Sequence, residues 1–171
     1  ITTNNQNIFE KIKFLRNHGL SDRNTCKIWG FNSRLDNLQA AIGLHKLQRI
    51  DERNQKFRKI ATQYWEGLND VVLAPKDNLN EYSVYHNYVI QAQNRENLMS
   101  FILKNFGVQT AIHYPILLHM QPAGRGMGYT KGSFPNAERL VEQMVSLPIF
   151  PELLPKEISR VIEGIRRFYN A

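Results

Sequence analysis

What the sequence lacks already limits the classes of protein to which it can belong. Among its 171 residues there is one cysteine, Cys26, and no apolar run near the length of a membrane span. A single cysteine cannot form an internal disulfide, and a bilayer-spanning helix needs about 20 apolar residues. The chain begins Ile1-Thr2-Thr3, with neither Met nor a signal-peptide pattern. We therefore expect a cytoplasmic protein without a membrane span, and we expect the chain to be a segment of a longer one.

Several catalytic and cofactor motifs are also missing. There is no Gly-x-Ser-x-Gly nucleophile elbow. The glycine-rich stretch 124–128 imitates a nucleotide-binding loop, but it neither follows a strand directly nor opens an apolar helix. His86, His113 and His119 lack metal-ligand spacing with Cys26 or a carboxylate, so no zinc site is predicted. The Rossmann, P-loop and zinc templates are therefore not met.

What is present indicates a folded and basic protein. Hydrophobic residues make up 42% and aromatic residues 11% of the chain, which excludes a disordered tail. Lys and Arg number 22 against 15 Asp and Glu, and this net charge of +7 favours anionic partners. A cationic helix face is formed by Lys46, Arg49, Arg53 and Lys56. Acidic residues interrupt that helix and no aromatic stacking platform accompanies it, so a solvated face is preferred to a nucleic-acid footprint.

The first part of the chain is dominated by helical patterns. A strand end at 1–3 is followed by a helix that begins with a capping box at Asn7 and ends at Gly19. A second capping box, at Ser33, begins an apolar pattern that continues to Leu68. This pattern predicts a very long helix that links two structural units, although a break near Asp51 is an open alternative.

The second part alternates between strands and helices. Strands are predicted at 84–92 and 108–114, and a helix at 95–105. A second helix is predicted to begin at Pro135, with Met144 and Leu147 in its apolar stripe, and a third to begin at Pro155. A long loop, 115–134, is predicted between the second strand and the helix that begins at Pro135. The predicted division is 1–35 as the end of an incomplete domain, 36–69 as a connector helix and 70–171 as a small α+β domain.

Two places in the sequence are candidates for a ligand site. Gly30 to Arg34 stands at the predicted start of the long helix, where free N–H groups, the Asn32 amide and the Arg34 guanidinium would suit an anion. His113 and Tyr114 end a predicted strand, where sites of α/β proteins often lie. Taken alone, each pattern fits the ordinary alternative better: plain helix capping for the first, and a locally bonded histidine for the second.

A set of motifs in a fixed order adds a resemblance to a known family. The motifs are Leu15-Arg16-Asn17-His18-Gly19, Gly30-Phe31-Asn32-Ser33-Arg34-Leu35-Asp36-Asn37-Leu38-Gln39-Ala40-Ala41-Ile42, Tyr85-His86-Asn87-Tyr88-Val89, Gly107-Val108-Gln109-Thr110-Ala111-Ile112-His113-Tyr114-Pro115, His119-Met120-Gln121-Pro122 and Leu147-Pro148-Ile149-Phe150-Pro151. In this order they resemble the C-terminal part of the DegT–StrS family of sugar aminotransferases, which depend on pyridoxal 5'-phosphate (PLP). Each motif by itself is weak evidence for the family, whereas the ordered set is strong evidence.

The resemblance implies an α/β fold of the fold-type-I PLP-dependent transferases and a homodimer with its active sites at the subunit interface. Asn32 would bind the PLP phosphate of the neighbouring subunit. Arg34, His113 and Tyr114, and more loosely His119, would contact a nucleotide-sugar substrate. In the family a lysine forms a Schiff base with PLP, and no Lys of this chain has its motif. No catalytic residue is therefore predicted within the chain.

The resemblance thus implies the C-terminal part of a nucleotide-sugar aminotransferase, which we expect to be inactive on its own. The full-length parent would transfer an amino group from an amino acid, expected to be glutamate, to a keto-sugar nucleotide. Two alternatives stay open at this stage. One is a sugar dehydratase of the same family, in which the Schiff-base Lys is replaced. The other is a basic interaction module without catalysis.

Overall fold

The chain folds into two compact units. The structure is a computed structural model that describes residues 1–170, and its backbone contacts separate unit 1, Ile1–Arg49, from unit 2, Ile50–Ala171. These contacts give two units with one boundary between them, after Arg49. The predicted division into three parts, 1–35, 36–69 and 70–171, stays a prediction.

Unit 1 contains two helices, α1 (Gln6–Leu15) and α2 (Asn37–Leu47). The Asn5 side chain caps α1 by accepting hydrogen bonds from the N–H groups of Asn7 and Ile8 at 3.0 and 3.1 Å. Helix α2 begins after Asp36, whose N–H donates to the Gln39 side chain at 3.3 Å. The caps predicted at Asn7 and at Ser33 are therefore wrong. The cap of α1 is Asn5, two positions before Asn7, and the cap of α2 is Asp36, three positions after Ser33.

Between these helices the chain folds back on the end of α1. His18 and Gly19 adopt positive φ angles of 57° and 73°, and the His18 N–H donates to the Phe31 carbonyl at 2.9 Å. The two backbones approach so closely that a Cβ on Gly30 would lie 2.3 Å from the Gly19 nitrogen. Only glycine fits at Gly30, and this fixes the position of the segment that follows it.

The very long helix predicted for 36–69 is present as two helices. Helix α2 ends at Leu47, and α3 (Ile50–Leu68) begins three residues later in unit 2. The interruption lies at residues 48–49, close to the break near Asp51 that the sequence pattern left open.

Unit 2 is a small α+β fold. After α3 it contains, in chain order, β1 (Tyr88–Gln91), α4 (Arg95–Phe106), a 3₁₀ turn (Leu118–Met120), α5 (Pro122–Arg125), α6 (Pro135–Val141), β2 (Met144–Leu147) and α7 (Pro155–Tyr169). Strands β1 and β2 pair antiparallel, with Tyr88 opposite Leu147. Single bridges from Leu73 to Gln91 and from Ala111 to Ser146 place one further segment along each outer edge.

The core of unit 2 lies where helices α3, α4 and α7 pack together and against the sheet. The Tyr64 and Tyr88 rings meet at 5.3 Å, and the buried Tyr64 hydroxyl donates to the Pro148 carbonyl at 2.7 Å. Within residues 1–170, sixteen buried apolar residues form this core: Ile60, Ala61, Tyr64, Leu68, Val72, Tyr88, Ile90, Ala92, Leu98, Ile102, Val108, Val145, Leu147, Ile158, Val161 and Ile165.

Several sequence predictions for unit 2 are confirmed and several are wrong. Helices α4 and α7 are confirmed, and Gly107 ends α4 with φ 63°. The strand predicted at 84–92 is reduced to β1, and the one at 108–114 to a single bridge at Ala111. Residues 144–147 form β2 and not a continuation of α6. Their apolar residues match a helical period by chance, because the pattern cannot separate a helix from a short buried strand.

Candidate functional site

The structure distributes the five predicted site residues over both units. Asn32 and Arg34 lie in unit 1, whereas His113, Tyr114 and His119 lie in unit 2. Asn32, Arg34, His113 and Tyr114 are exposed, and His119 is buried.

Asn32 is held by the backbone on either side of it. The Phe31 N–H donates to the Leu15 carbonyl at 2.6 Å, and the Ser33 N–H donates to the Arg16 carbonyl at 2.9 Å. The peptide of Asn32 is therefore fixed against the end of α1, while its side chain faces solvent. This restraint suits a binding residue, because little conformational freedom remains to be lost when a ligand binds.

The side chains of Asn32 and Arg34 form a donor pair. The Arg34 Nε donates to the Asn32 Oδ1 at 3.3 Å. Over residues 1–170, no hydrogen bond engages the Asn32 amide nitrogen or the terminal guanidinium nitrogens of Arg34. An amide N–H₂ and a forked cation are the donors that phosphate oxygens prefer. The residues present therefore fit an anionic group such as the phosphate of PLP.

The predicted contribution of a helix N-terminus to this site is wrong. Helix α2 begins at Asn37, so Asn32 and Arg34 lie in the extended segment before it and not in its first turn. Asp36 occupies the capping position in place of Ser33. The donors identified at this place are therefore side-chain groups, and not the N–H groups of a helix end.

His113 has one ring nitrogen bonded and one unbonded. Its Nδ1 lies 2.9 Å from the hydroxyl of Ser146, which is only 5% exposed. The Nε2 atom has no hydrogen-bond partner among the residues that the structure describes. Tyr114 is 73% exposed and stands edge-on to the His113 ring at 5.5 Å. The local hydrogen bond expected of an ordinary histidine is thus present, and it leaves the other nitrogen available for a ligand.

His119 occupies a different environment. Its Nε2 is 2.8 Å from the Glu138 Oε1, and its ring meets the Phe134 ring at 4.9 Å. Glu138 also accepts from the Gly132 N–H at 2.9 Å, and this bond, with that to His119, holds the pKa of the carboxyl below its usual value. This geometry favours an anchor for the 115–134 loop, and a contact of His119 with substrate stays a prediction.

Two clefts of unit 2 were not foreseen. An apolar cleft of about 540 Å³ opens beside His119 and is lined mainly by Leu117, Leu118, Ala123, Met127, Tyr129 and Phe134. A polar cleft of about 680 Å³ contains Arg58, Asp77 and Tyr85. The Asp77 carboxylate accepts from the Arg58 guanidinium at 2.5 Å and from the Tyr85 hydroxyl at 2.6 Å. Burial and the bond to Asp77 raise the pKa of Tyr85 to about 12.

Ser146 is the site residue that the sequence did not reveal. Ser146 lies inside a segment predicted as helix. The sequence therefore gave no reason to place it beside His113, at the end of a predicted strand. The available signal was one polar residue alternating with Val145 and Leu147, which is the pattern of a strand with one apolar face.

The described part of the chain holds neither a metal-binding cluster nor a bilayer-crossing helix. No cluster of three or more His, Cys, Asp or Glu side chains there has the geometry to hold a metal ion. None of the helices within residues 1–170 combines the length and hydrophobicity that crossing a bilayer requires.

Comparison with known proteins identifies the family. Residues 1–166 match the DegT/DnrJ/EryC1/StrS aminotransferase family. The chain belongs to this family. The resemblance inferred from the ordered motifs is thereby confirmed.

Individual proteins are similar to this chain over nearly its whole length. The pleiotropic regulatory protein of Geobacillus stearothermophilus is 38% identical over 99% of this chain and 46% of its own length. The dTDP-3-amino-3,6-dideoxy-alpha-D-galactopyranose transaminase of Aneurinibacillus thermoaerophilus is 37% identical over 98% of this chain and 46% of its own. NtdA from Bacillus subtilis, solved with the bound cofactor PMP, is 31% identical with a TM-score of 0.87, covering 99% of this chain and 41% of that one.

These likenesses establish the fold. The chain has the α/β fold of this aminotransferase family, and it spans about half the length of the curated relatives it matches. Similarity to the Aneurinibacillus transaminase does not favour the dehydratase alternative or a basic module without catalysis.

Proposed function

We propose that this chain is the C-terminal part of a PLP-dependent nucleotide-sugar aminotransferase. The complete protein would transfer an amino group from an amino acid, expected to be glutamate, to a keto-sugar nucleotide. The observation that carries the proposal is the family match over residues 1–166. The similarity to a transaminase named for a dTDP-linked amino sugar supports the substrate class.

The residues of unit 1 would contribute to cofactor binding. PLP, when bound, supplies the carbonyl and the electron sink on which movement of an amino group depends. Asn32 would donate from its amide nitrogen to the phosphate of the cofactor in the neighbouring subunit. Arg34 would hold the Asn32 oxygen through Nε, which turns the amide nitrogen outward, and would place its own charge beside the anion.

The residues of unit 2 would contribute to substrate binding. His113 is an exposed residue with its Nδ1 bonded to Ser146 and its Nε2 without a partner in the described structure, so it can form a hydrogen bond with the substrate. Tyr114 offers an exposed aromatic face and a hydroxyl. We further propose a homodimer with its active sites at the subunit interface, located in the cytoplasm and acting in polysaccharide biosynthesis.

The first experiment tests Asn32 in the full-length protein. Asn32→Ala should weaken PLP retention by roughly tenfold, the effect of losing one charge-assisted hydrogen bond. Asn24→Ala, which changes an exposed asparagine of the same unit, is the matched control. Retention is measured as cofactor absorbance after dialysis. Equal retention by both variants would remove Asn32 from the site.

The second experiment tests this chain alone. Because no Lys of the 171 residues stands in the family's Schiff-base motif, the isolated chain should neither transaminate nor give a specific lysine adduct after addition of PLP and borohydride. Mass spectrometry of the digested product locates any adduct. Stoichiometric reduction onto one lysine would contradict the assignment.

A further inference from the structure

We propose that Ser146 is a positioning residue that fixes the His113 ring and its tautomer, so that His113 presents Nε2–H as a hydrogen-bond donor to an acceptor oxygen of the sugar nucleotide. The inference rests on the proposed function in one respect, namely that His113 contacts the substrate. Its structural part, the tautomer of His113, stands on the geometry alone.

Ser146 is itself held in place by the backbone. Its N–H donates to the Ala111 carbonyl at 2.8 Å, and the Ala111 N–H donates back to the Ser146 carbonyl at 3.2 Å. His113 follows Ala111 by two residues, so the same bridge that fixes Ser146 also fixes the start of the His113 segment. On either side of Ser146 in β2, Val145 and Leu147 are buried in the core. The hydroxyl therefore has a defined position beside the ring.

The direction of the hydrogen bond follows from counting donors and acceptors. The Ser146 hydroxyl is buried, and over residues 1–170 its one side-chain partner is the His113 Nδ1 at 2.9 Å. If Nδ1 carried the proton and donated to Oγ, the hydroxyl hydrogen would be buried without an acceptor, which is unfavourable. If the hydroxyl donates to Nδ1, both groups are satisfied. The neutral imidazole then carries its proton on Nε2.

The consequence is an oriented donor at the surface. Nε2 is the nitrogen of His113 without a partner in the described structure, and the edge contact with Tyr114 adds a second restraint on the ring. The other histidine of the region behaves differently, because the Nε2 of His119 is already bonded to Glu138. Of these two rings, only His113 can offer Nε2–H to an oxygen of a substrate.

The first arm of the test measures the tautomer. Long-range ¹H–¹⁵N spectra of the full-length protein labelled with ¹⁵N-histidine, recorded near pH 8, should show His113 as the Nε2–H tautomer alone. Ser146→Ala should give a mixture of the two tautomers, and Ser146→Thr, which keeps the hydroxyl, should restore the single form. An Nδ1–H tautomer in the wild-type protein would overturn the inference.

The second arm measures steady-state kinetics with a keto-sugar nucleotide. Ser146→Ala should raise the KM for this substrate roughly tenfold, the effect of one misplaced hydrogen bond, without changing the half-reaction with the amino donor. Ser146→Thr should recover most of the loss. In a His113→Ala background, Ser146→Ala should have no further effect, because Ser146 acts through the ring. A full and additive effect there would show that Ser146 serves folding only.

The two arms separate this inference from the proposed function. A wild-type enzyme that aminates the sugar nucleotide while the Ser146→Ala effect is additive contradicts the inference and leaves the function standing. Absence of amination, or a His113→Ala variant with unchanged KM, contradicts the substrate role of His113, whereas the tautomer set by Ser146 is upheld or overturned by the first arm alone. Thermal melting of each variant shows whether a loss of activity reflects unfolding.

Discussion

The two units differ in how they are stabilised. All sixteen core residues lie in unit 2, whereas neither helix of unit 1 contains a buried residue. In unit 1, Trp29 is 95% and Leu38 is 73% exposed. A segment of about 50 residues seldom buries enough apolar surface to be stable alone. Unit 1 therefore keeps its shape through caps and backbone hydrogen bonds, and in the proposed homodimer we expect its apolar side chains to be covered.

The charge follows the same division. Residues 1–49 carry eight Lys or Arg against three Asp or Glu, whereas the remainder carries fourteen against twelve. Most of the excess positive charge thus belongs to the unit that contains Asn32 and Arg34. The net charge of the whole chain does not say where an anion would bind. Its distribution supports an anion site in unit 1.

The largest predicted effect tests the difference in burial directly. Leu98→Ala removes a fully buried side chain from α4, and it should lower the free energy of unfolding by about 2–5 kcal/mol. Leu38→Ala, at an exposed leucine of α2, is the matched control and should change it by less than about 0.5 kcal/mol. Urea unfolding followed by circular dichroism measures both variants. Equal losses would mean that the units do not differ as described.

The second effect concerns the close approach of backbones in unit 1. Gly30→Ala would place a Cβ 2.3 Å from the Gly19 nitrogen, and the displacement should cost about 1–3 kcal/mol of local stability. Gly43→Ala, in α2, meets no atom within 4 Å, and it should stabilise that helix by up to about 1 kcal/mol. Hydrogen exchange of the Phe31 and Ser33 amides reports the local effect. Unchanged protection in Gly30→Ala would contradict the close approach.

How far the sequence could predict the structure also differs between regions. Helices α4 and α7 were predictable because each has a regular apolar face and a clear boundary, as at Gly107. Strand β2 was not, because four residues are too few for periodicity to separate a strand from a helix. The candidate site shows the same limit, because a sequence reveals local motifs more readily than contacts between distant segments. Asn32 and His113 stood in recognisable motifs, but the hydrogen bond of Ser146 with His113 joins residues that lie 33 positions apart in the chain.

The third effect concerns the caps that stabilise unit 1. Asn5→Ala removes an acceptor bonded to two N–H groups at the start of α1, and it should cost about 1 kcal/mol of helix stability. Asn7→Ala, at the cap predicted from the sequence, should cost little because Asn7 lies within the helix. Hydrogen exchange along α1 measures both variants. A greater loss in Asn7→Ala would support the sequence-based cap instead.

The smallest expected effect concerns pH and belongs to unit 2. Hydrogen bonds from Tyr85 and then from Arg58 lower the pKa of Asp77 below its usual 3.8. A lowered pKa contributes stability that is fully present above the unfolded pKa and is lost as the pH falls through the folded value. The wild-type chain should therefore lose more stability between pH 5 and 3 than Asp77→Asn, which cannot titrate. The effect is small because one partly exposed carboxyl is involved and solvent screens its pair with Arg58.

Tyr85→Phe separates the two causes of the shift at Asp77. Tyr85→Phe removes the hydrogen bond from the Tyr85 hydroxyl and keeps the ion pair of Asp77 with Arg58. The stability that this variant loses on acidification should therefore lie between the losses of the wild-type chain and of Asp77→Asn. Urea unfolding at a series of pH values measures all three. Parallel pH profiles for the wild-type chain and Asp77→Asn would show that the carboxyl titrates alike in the folded and unfolded states. The cluster would then hold the 77–85 loop by geometry alone, as the backbone bonds hold unit 1, and the two units would differ only in their cores.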